Sequence, residues 1–131
     1  MIPIRVFIVD DHPLVRGGLR ALLSAEPDIQ VVGAAASGEE AIRQVRASRP
    51  DVTLMDLLLP GKDGVETIAD IRRENPNARF VVLTSMALPD QMRLALNVGA
   101  QGYVLKQSPP AETVKVIRDV QAVQPDDHRV Q

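Results

Sequence analysis

The sequence predicts an α/β fold built on one open parallel sheet, and three observations predict it. Short β-branched apolar runs alternate with longer segments of helical spacing, the pattern of successive βαβ units. Four of those runs end in residues that carry chemistry. Ile4 to Val9 ends in Asp10-Asp11, Val52 to Met55 in Asp56, Phe80 to Leu83 in Thr84-Ser85, and Gly102 to Leu105 in Lys106. A chain of 131 residues suits one domain with its own core. In a parallel sheet the four ends meet at one edge, and the carboxyl edge of an open α/β sheet is where ligands bind.

The elements follow in order. The first strand leads to a helix that opens at Pro13, a good first-turn residue, with Val15, Leu19, Leu22 and Leu23 on one face. Gln30 to Ala35 supplies another strand, weakened by Gly33 and its alanines. Ser37-Gly38-Glu39-Glu40 fits a capping box, with Ala41, Ile42 and Val45 behind it. After the Asp56 strand, the turn Pro60-Gly61-Lys62-Asp63-Gly64 precedes a third helix carrying Val65, Ile68 and Ile71, which stops near Asn75-Pro76. The fourth helix starts near Pro89, turns Met92, Ala95 and Leu96 inward, and ends at Gly99. The fifth runs from Pro110 to about Val123. Residues 124–131 read as a polar tail containing Pro125.

Composition narrows the function classes. Apolar residues make up 45% and charged ones 24%, as in a soluble globular domain. The absence of cysteine excludes a disulfide framework and a thiolate metal site, and suits a reducing, cytoplasmic setting. No apolar run reaches the roughly 18 residues of a membrane span. A strand pattern begins within four residues of Met1, too early for a signal peptide. A net charge of −2 gives no basic footprint for nucleic acid, so this segment is not expected to bind DNA itself.

Each motif also has a bland reading. Asp10-Asp11 can end a strand and cap a helix. Thr84 fits a strand as a β-branched residue, Lys106 as a solvated lysine, and the two glycines after Pro60 as turn formers. Asp56 is harder to dismiss. It interrupts a buried stretch between Val52 and Leu59, and a carboxylate there needs a partner or a metal. Three gathered carboxylates repel one another, and a divalent cation relieves that repulsion. Magnesium prefers one or two carboxylates, waters and phosphate oxygens. A carboxylate beside it can attack a phosphoryl group, while a lysine and a hydroxyl hold the phosphoryl oxygens. Those parts match phosphoryl transfer.

From residue 4 to about 123 the chain resembles the receiver domain of bacterial two-component response regulators. The pieces that carry the likeness are Val9-Asp10-Asp11-His12-Pro13, Met55 through Gly64, Val82-Leu83-Thr84-Ser85, and Gly99 through Lys106. The resemblance implies a doubly wound five-stranded sheet of order 2-1-3-4-5 with five flanking helices, the flavodoxin-like receiver fold. It implies Asp56 as phosphoacceptor for a sensor histidine kinase, with Mg2+ as cofactor. Asp11 and Asp56 would ligate the metal directly, Asp10 mostly through water, and the backbone carbonyl of Leu58 would join them. Thr84 would be the switch hydroxyl, Lys106 the phosphate partner and Tyr103 the aromatic switch. The side chains two positions after Asp56 and after Thr84 flank the path of the hydrolytic water in receivers. Here they are Leu58 and Met86, both apolar.

Asp-Asp-His-Pro-Leu-Val-Arg-Gly-Gly-Leu and Gly-Ala-Gln-Gly-Tyr-Val-Leu-Lys resemble regulators with a LuxR-type helix-turn-helix output. Residues 1–123 would then be the receiver and 124–131 a linker toward a DNA-binding domain that controls transcription. The alternative is a stand-alone receiver that acts as a phosphorylation-dependent protein-binding module. Two positions depart from the family pattern: Leu59 stands where methionine is common, and Gln107 where proline often follows the lysine. A flavodoxin-like redox protein would want aromatics around its flavin, yet aromatic content is 2%. A small magnesium phosphatase would want a second Asp at position 58. A degenerate receiver would lack an acid or the lysine. Finally, Val116, Val120 and Val123 form a second stripe on the fifth helix beside Val114 and Ile117. That stripe reads either as helix-edge packing or as a surplus face for a homodimer.

Overall fold

The computed structural model describes residues 2–86 and 89–123. Ten elements alternate strictly: β1 (Ile4–Val9), α1 (Pro13–Ser24), β2 (Ile29–Ala35), α2 (Gly38–Ser48), β3 (Val52–Asp56), α3 (Gly64–Glu74), β4 (Phe80–Thr84), α4 (Pro89–Asn97), β5 (Gly102–Leu105) and α5 (Pro110–Ala122). All strand pairs are parallel and the order is β2-β1-β3-β4-β5. The fold is the five-stranded doubly wound one that the resemblance implied.

Strand periodicity divides the core. On one face Phe7, Val9, Met55, Phe80 and Val82 pack with residues of α2, α3 and α4. On the other, Val6, Ile8, Leu54, Val81 and Val104 pack with Leu23 of α1 and with Val114, Ile117 and Val120 of α5. Successive strand residues point to opposite faces, and both faces are covered, so the central strands are mostly apolar on both. Gly33 has a positional reason within this packing. The β1–β2 register shifts between Val6 and Phe7, and a Cβ at Gly33 would lie 2.7 Å from the Phe7 ring. The glycine that weakens β2 as a strand signal makes room for a core aromatic.

Three local points are decided by the packing, two of them as corrections. Leu96 is 52% exposed, because α4 is only nine residues long and Ala95 and Met92 already cover its contact with the core. The capping box at Ser37 is half made. Ser37 Oγ accepts from the Glu40 N–H at 3.2 Å, but the Glu40 carboxylate turns to the Ala36 N–H instead. The complete box lies at α3, where Asp63 and Glu66 cap each other's backbone N–H groups. Third, of the two readings of the second stripe of α5, the packing supports the helix edge. Val120 is buried and Val116 packs on the same cluster. Gly102 lets α5 approach β5 closely: a Cβ there would meet Val116 at 3.0 Å and Val120 at 3.2 Å. Only Val123 of the three is exposed. The tail expected at 124–131 lies outside the described residues.

Two polar ties fix the helices on the edges. Arg118 of α5 forms a fork to Asp28, at 2.8 Å to each oxygen, and reaches Glu26 at 2.9 Å. Its guanidinium holds the Asp28 carboxyl below the usual carboxylate range. Lys62 in the turn before α3 pairs with Asp70 on the helix. No helix among the described residues is long and apolar enough to cross a membrane.

Candidate functional site

The carboxyl edge of the sheet gathers the expected side chains. Asp10 and Asp11 directly follow β1, Asp56 and Thr84 are the last residues of β3 and β4, and Lys106 directly follows β5. The register keeps these ends level, with Val9 beside Met55, Asp56 beside Leu83 and Thr84 beside Leu105. The Lys106 N–H donates to the Thr84 carbonyl at 2.7 Å, which extends the last pairing by one residue. Val9, Met55, Leu57 and Leu83 are buried beneath, so the polar groups stand on an apolar floor.

The loop after β3 is anchored by Gly64. A Cβ at that position would overlap the Asp56 carbonyl oxygen and the Leu57 backbone, and the Gly64 N–H donates to the Leu57 carbonyl at 3.0 Å. The Asp63–Glu66 capping box then starts α3 immediately, which holds residues 57–63 against the site.

Asp10 is 0% and Asp56 3% exposed, and buried carboxylates need partners. Lys106 supplies one. Its Nζ lies 2.6 Å from Asp10 Oδ2 and 3.1 Å from Asp56 Oδ2. The Leu58 N–H donates to Asp56 Oδ1 at 3.1 Å, and the His12 N–H to Asp10 Oδ1 at 2.8 Å. Burial pushes the Asp56 carboxyl above the usual carboxylate range, and the neighbouring Asp10 charge adds to this. Lys106 and the Leu58 N–H oppose the shift without cancelling it. For Lys106, burial works to lower the affinity for its proton, but its pairs with Asp10 and Asp56 outweigh burial and hold the amine above its usual range.

The donor set fits a hard divalent cation. Asp10, Asp11 and Asp56 bring three carboxylates against the single ammonium of Lys106. Asp10, Asp11, His12 and Asp56 each offer a ligand atom, all within 4.8 Å of one another. Asp10 Oδ2 and Asp11 Oδ1 are buried without a hydrogen bond. Lys106 Nζ approaches the first at 2.6 Å and His12 Nδ1 the second at 3.1 Å, neither as a well-directed hydrogen bond. Oxygens with free lone pairs in a net negative pocket are what magnesium takes.

The switch residues are placed differently. Thr84 is buried at the edge, but its Oγ1 donates to the Met86 carbonyl at 2.7 Å. Tyr103 is 54% exposed on β5. The side chains of Leu58 and Met86 are also exposed. His12 joins the acids although the sequence reading gave it no role. Its signal was adjacency, an imidazole one residue past an acid pair. Gly64 and its capping box also went unrecognised as supports of the site, because the pattern Asp-x-x-Glu sat inside a segment read only as a turn.

A parallel sheet of this order with an acidic pocket and a facing lysine at its carboxyl edge defines a receiver. Residues 6–118 match the response regulator receiver domain family, and the chain belongs to it. Its relatives are LuxR-family regulators. It is 44% identical over 115 residues to the transcriptional regulatory protein LiaR of Bacillus subtilis, covering 88% of this chain and 54% of that protein. It is 42% identical over 119 residues to the DNA-binding transcriptional activator DevR/DosR of Mycobacterium tuberculosis, covering 91% and 55%. The chain thus spans about half the length of these relatives. The signal receiver domain of the response regulator NarL from Mycobacterium tuberculosis has a TM-score of 0.89 at 35% identity, covering 95% of this chain and 100% of that one. A LuxR-family two-component response regulator from Aurantimonas sp. has 0.87 at 38%, covering 98% and 99%. A receiver domain of this family is a phosphoacceptor switch that binds magnesium at its acidic pocket.

Proposed function

We propose that Asp56 is the phosphoacceptor and that the donor is a phosphohistidine on a sensor histidine kinase. The observation that carries this reading is the buried Asp56 carboxylate with the Lys106 ammonium 3.1 Å away at a strand end. One Asp56 oxygen attacks phosphorus as the donor's P–N bond breaks, which forms an acyl phosphate and returns the electron pair to the imidazole. Lys106 then pairs with a phosphoryl oxygen, releasing the carboxylate it now holds. Magnesium, held by Asp11 and Asp56 with Asp10 and the Leu58 carbonyl, would neutralise phosphoryl charge. Thr84 exchanges its bond to Met86 for one to the phosphoryl group, and Tyr103 turns inward into the space it leaves.

Residues 1–123 act as the receiver and 124–131 as a linker toward a DNA-binding output that controls transcription. The names of the LuxR-family relatives support that reading. The kinase encounter takes place in the cytoplasm. Phosphorylation favours a homodimer, through a face other than the buried Val120 and the partly buried Val116. The exposed apolar side chains of Leu58 and Met86 cannot orient a water, so the acyl phosphate hydrolyses slowly. Asp56→Asn is expected to abolish magnesium-dependent labelling by a small phosphodonor, read by intact mass. Full incorporation in that variant would remove Asp56 from the role.

A further inference from the structure

We propose that His12 is a fourth side-chain ligand of the acidic pocket and lets it hold an imidazole-favouring divalent transition ion, Ni2+ or Zn2+, in place of magnesium. This rests on the metal site proposed above and names what else that site accepts. His12 Nδ1 lies 3.1 Å from Asp10 Oδ1 and 3.1 Å from Asp11 Oδ1. Two neighbouring ligands at right angles about an ion with bonds of about 2.1 Å are about 3.0 Å apart. The ring is therefore spaced as an adjacent ligand to Asp11 Oδ1, and an ion entering the pocket would replace its hydrogen bond to Asp10 Oδ1. Its side chain is 64% exposed, so it stands on the solvent side of the buried Asp10. Beneath it, Asp10 is fully buried, and both Asp10 Oδ2 and Asp11 Oδ1 lack a hydrogen bond.

The donor chemistry decides which ions gain. Carboxylates and carbonyls suit magnesium, whereas an imidazole nitrogen suits zinc and nickel and adds little for magnesium. An all-oxygen pocket discriminates weakly. A pocket of three carboxylates and one imidazole favours the transition ion. Backbone position supports the role, because His12 is the N-cap residue of α1 and makes no side-chain cap, so its ring bonds inside the acidic cluster, Nδ1 to Asp10 Oδ1.

The test compares Ni2+ and Mg2+ affinities by calorimetry in the full chain carrying His128→Gln, which leaves His12 as its one imidazole. His12→Ala is expected to weaken Ni2+ binding at least about tenfold, since even outer-shell partners of a metal are worth 10–100-fold. Its Mg2+ affinity should stay within about twofold. Pulsed EPR with Cu2+ should show a directly coordinated imidazole nitrogen that His12→Ala abolishes. If His12→Ala leaves the Ni2+ to Mg2+ ratio unchanged while Asp11→Asn removes Mg2+ binding, the inference falls and the proposed function stands. If the histidine-bearing chain binds no divalent cation, both fall.

Discussion

Lys106→Met isolates the electrostatics of the pocket. In the structure one ammonium answers two carboxylates, at 2.6 Å from Asp10 and 3.1 Å from Asp56. At an effective dielectric of about 20 those pairs are worth about 6 and about 5 kcal/mol before desolvation is subtracted. Methionine keeps much of the lysine stem's bulk and removes the charge. What remains is two buried acids facing each other with no cation. Removing one partner of a buried ion pair destabilises by about 3–5 kcal/mol. The lysine is 15% exposed, so water reaches the gap and the lower end, about 3 kcal/mol, is the expected loss. The assay is urea unfolding with a chelator present, then repeated in saturating magnesium. The cation takes over the neutralising role and binds only the folded chain, so much of the loss should return. A variant as stable as the parent in chelator would refute the reasoning, and so would a loss that magnesium leaves untouched.

Three further outcomes are expected. Leu58→Asn/Met86→Glu should speed decay of the acyl phosphate at least about tenfold by orienting a water, measured by loss of the phosphorylated mass; equal rates would refute the shielding role. Val116→Glu/Val120→Lys should lower stability on the order of 4 kcal/mol, because Val120 is buried against Gly102, and an unchanged urea midpoint would overturn that packing. Arg118→Ala should weaken the chain near neutral pH. Asp28 is depressed in the folded state, so its contribution is present above its unfolded value of about 3.9 and is lost as pH falls through the lower folded one. The gap between parent and variant in urea midpoint should therefore close in acid; a gap that persists at the lowest pH would exclude Asp28 as its source.

The fold and most of the pocket were legible in the sequence because strand ends announce themselves. An apolar run that stops at a carboxylate or a lysine marks both the element and its edge, and Asp10, Asp11, Asp56, Thr84 and Lys106 were all placed in this way. Boundaries shifted by one residue where pairing continues into the polar residue, as at Asp56 and Thr84. The misreadings share a cause: contact depends on a neighbour that periodicity does not display. Leu96 had the right spacing to be inward, but α4 is too short to use that face. Val116 and Val120 were open to two readings that only the close approach of α5 over Gly102 separates. Phe7 explains Gly33, and no local pattern links them. His12 was passed over because a lone histidine is uninformative until its distance to the acids is known.

The hydroxyl of Thr84 carries a quantitative consequence. It already donates to the Met86 carbonyl at 2.7 Å, so recruiting it to a phosphoryl oxygen swaps one bond for another. A bond to a charged acceptor exceeds a neutral one by about 1 kcal/mol, which is only about a fivefold change in population. If Thr84 takes the switch role proposed above, that exchange alone would tilt a single molecule rather than throw it. Within the proposed homodimer, sharpness would come from reading two copies at once. A readout that requires two tilted subunits responds to the square, about twenty-five-fold, and turns a small local exchange into a decisive signal.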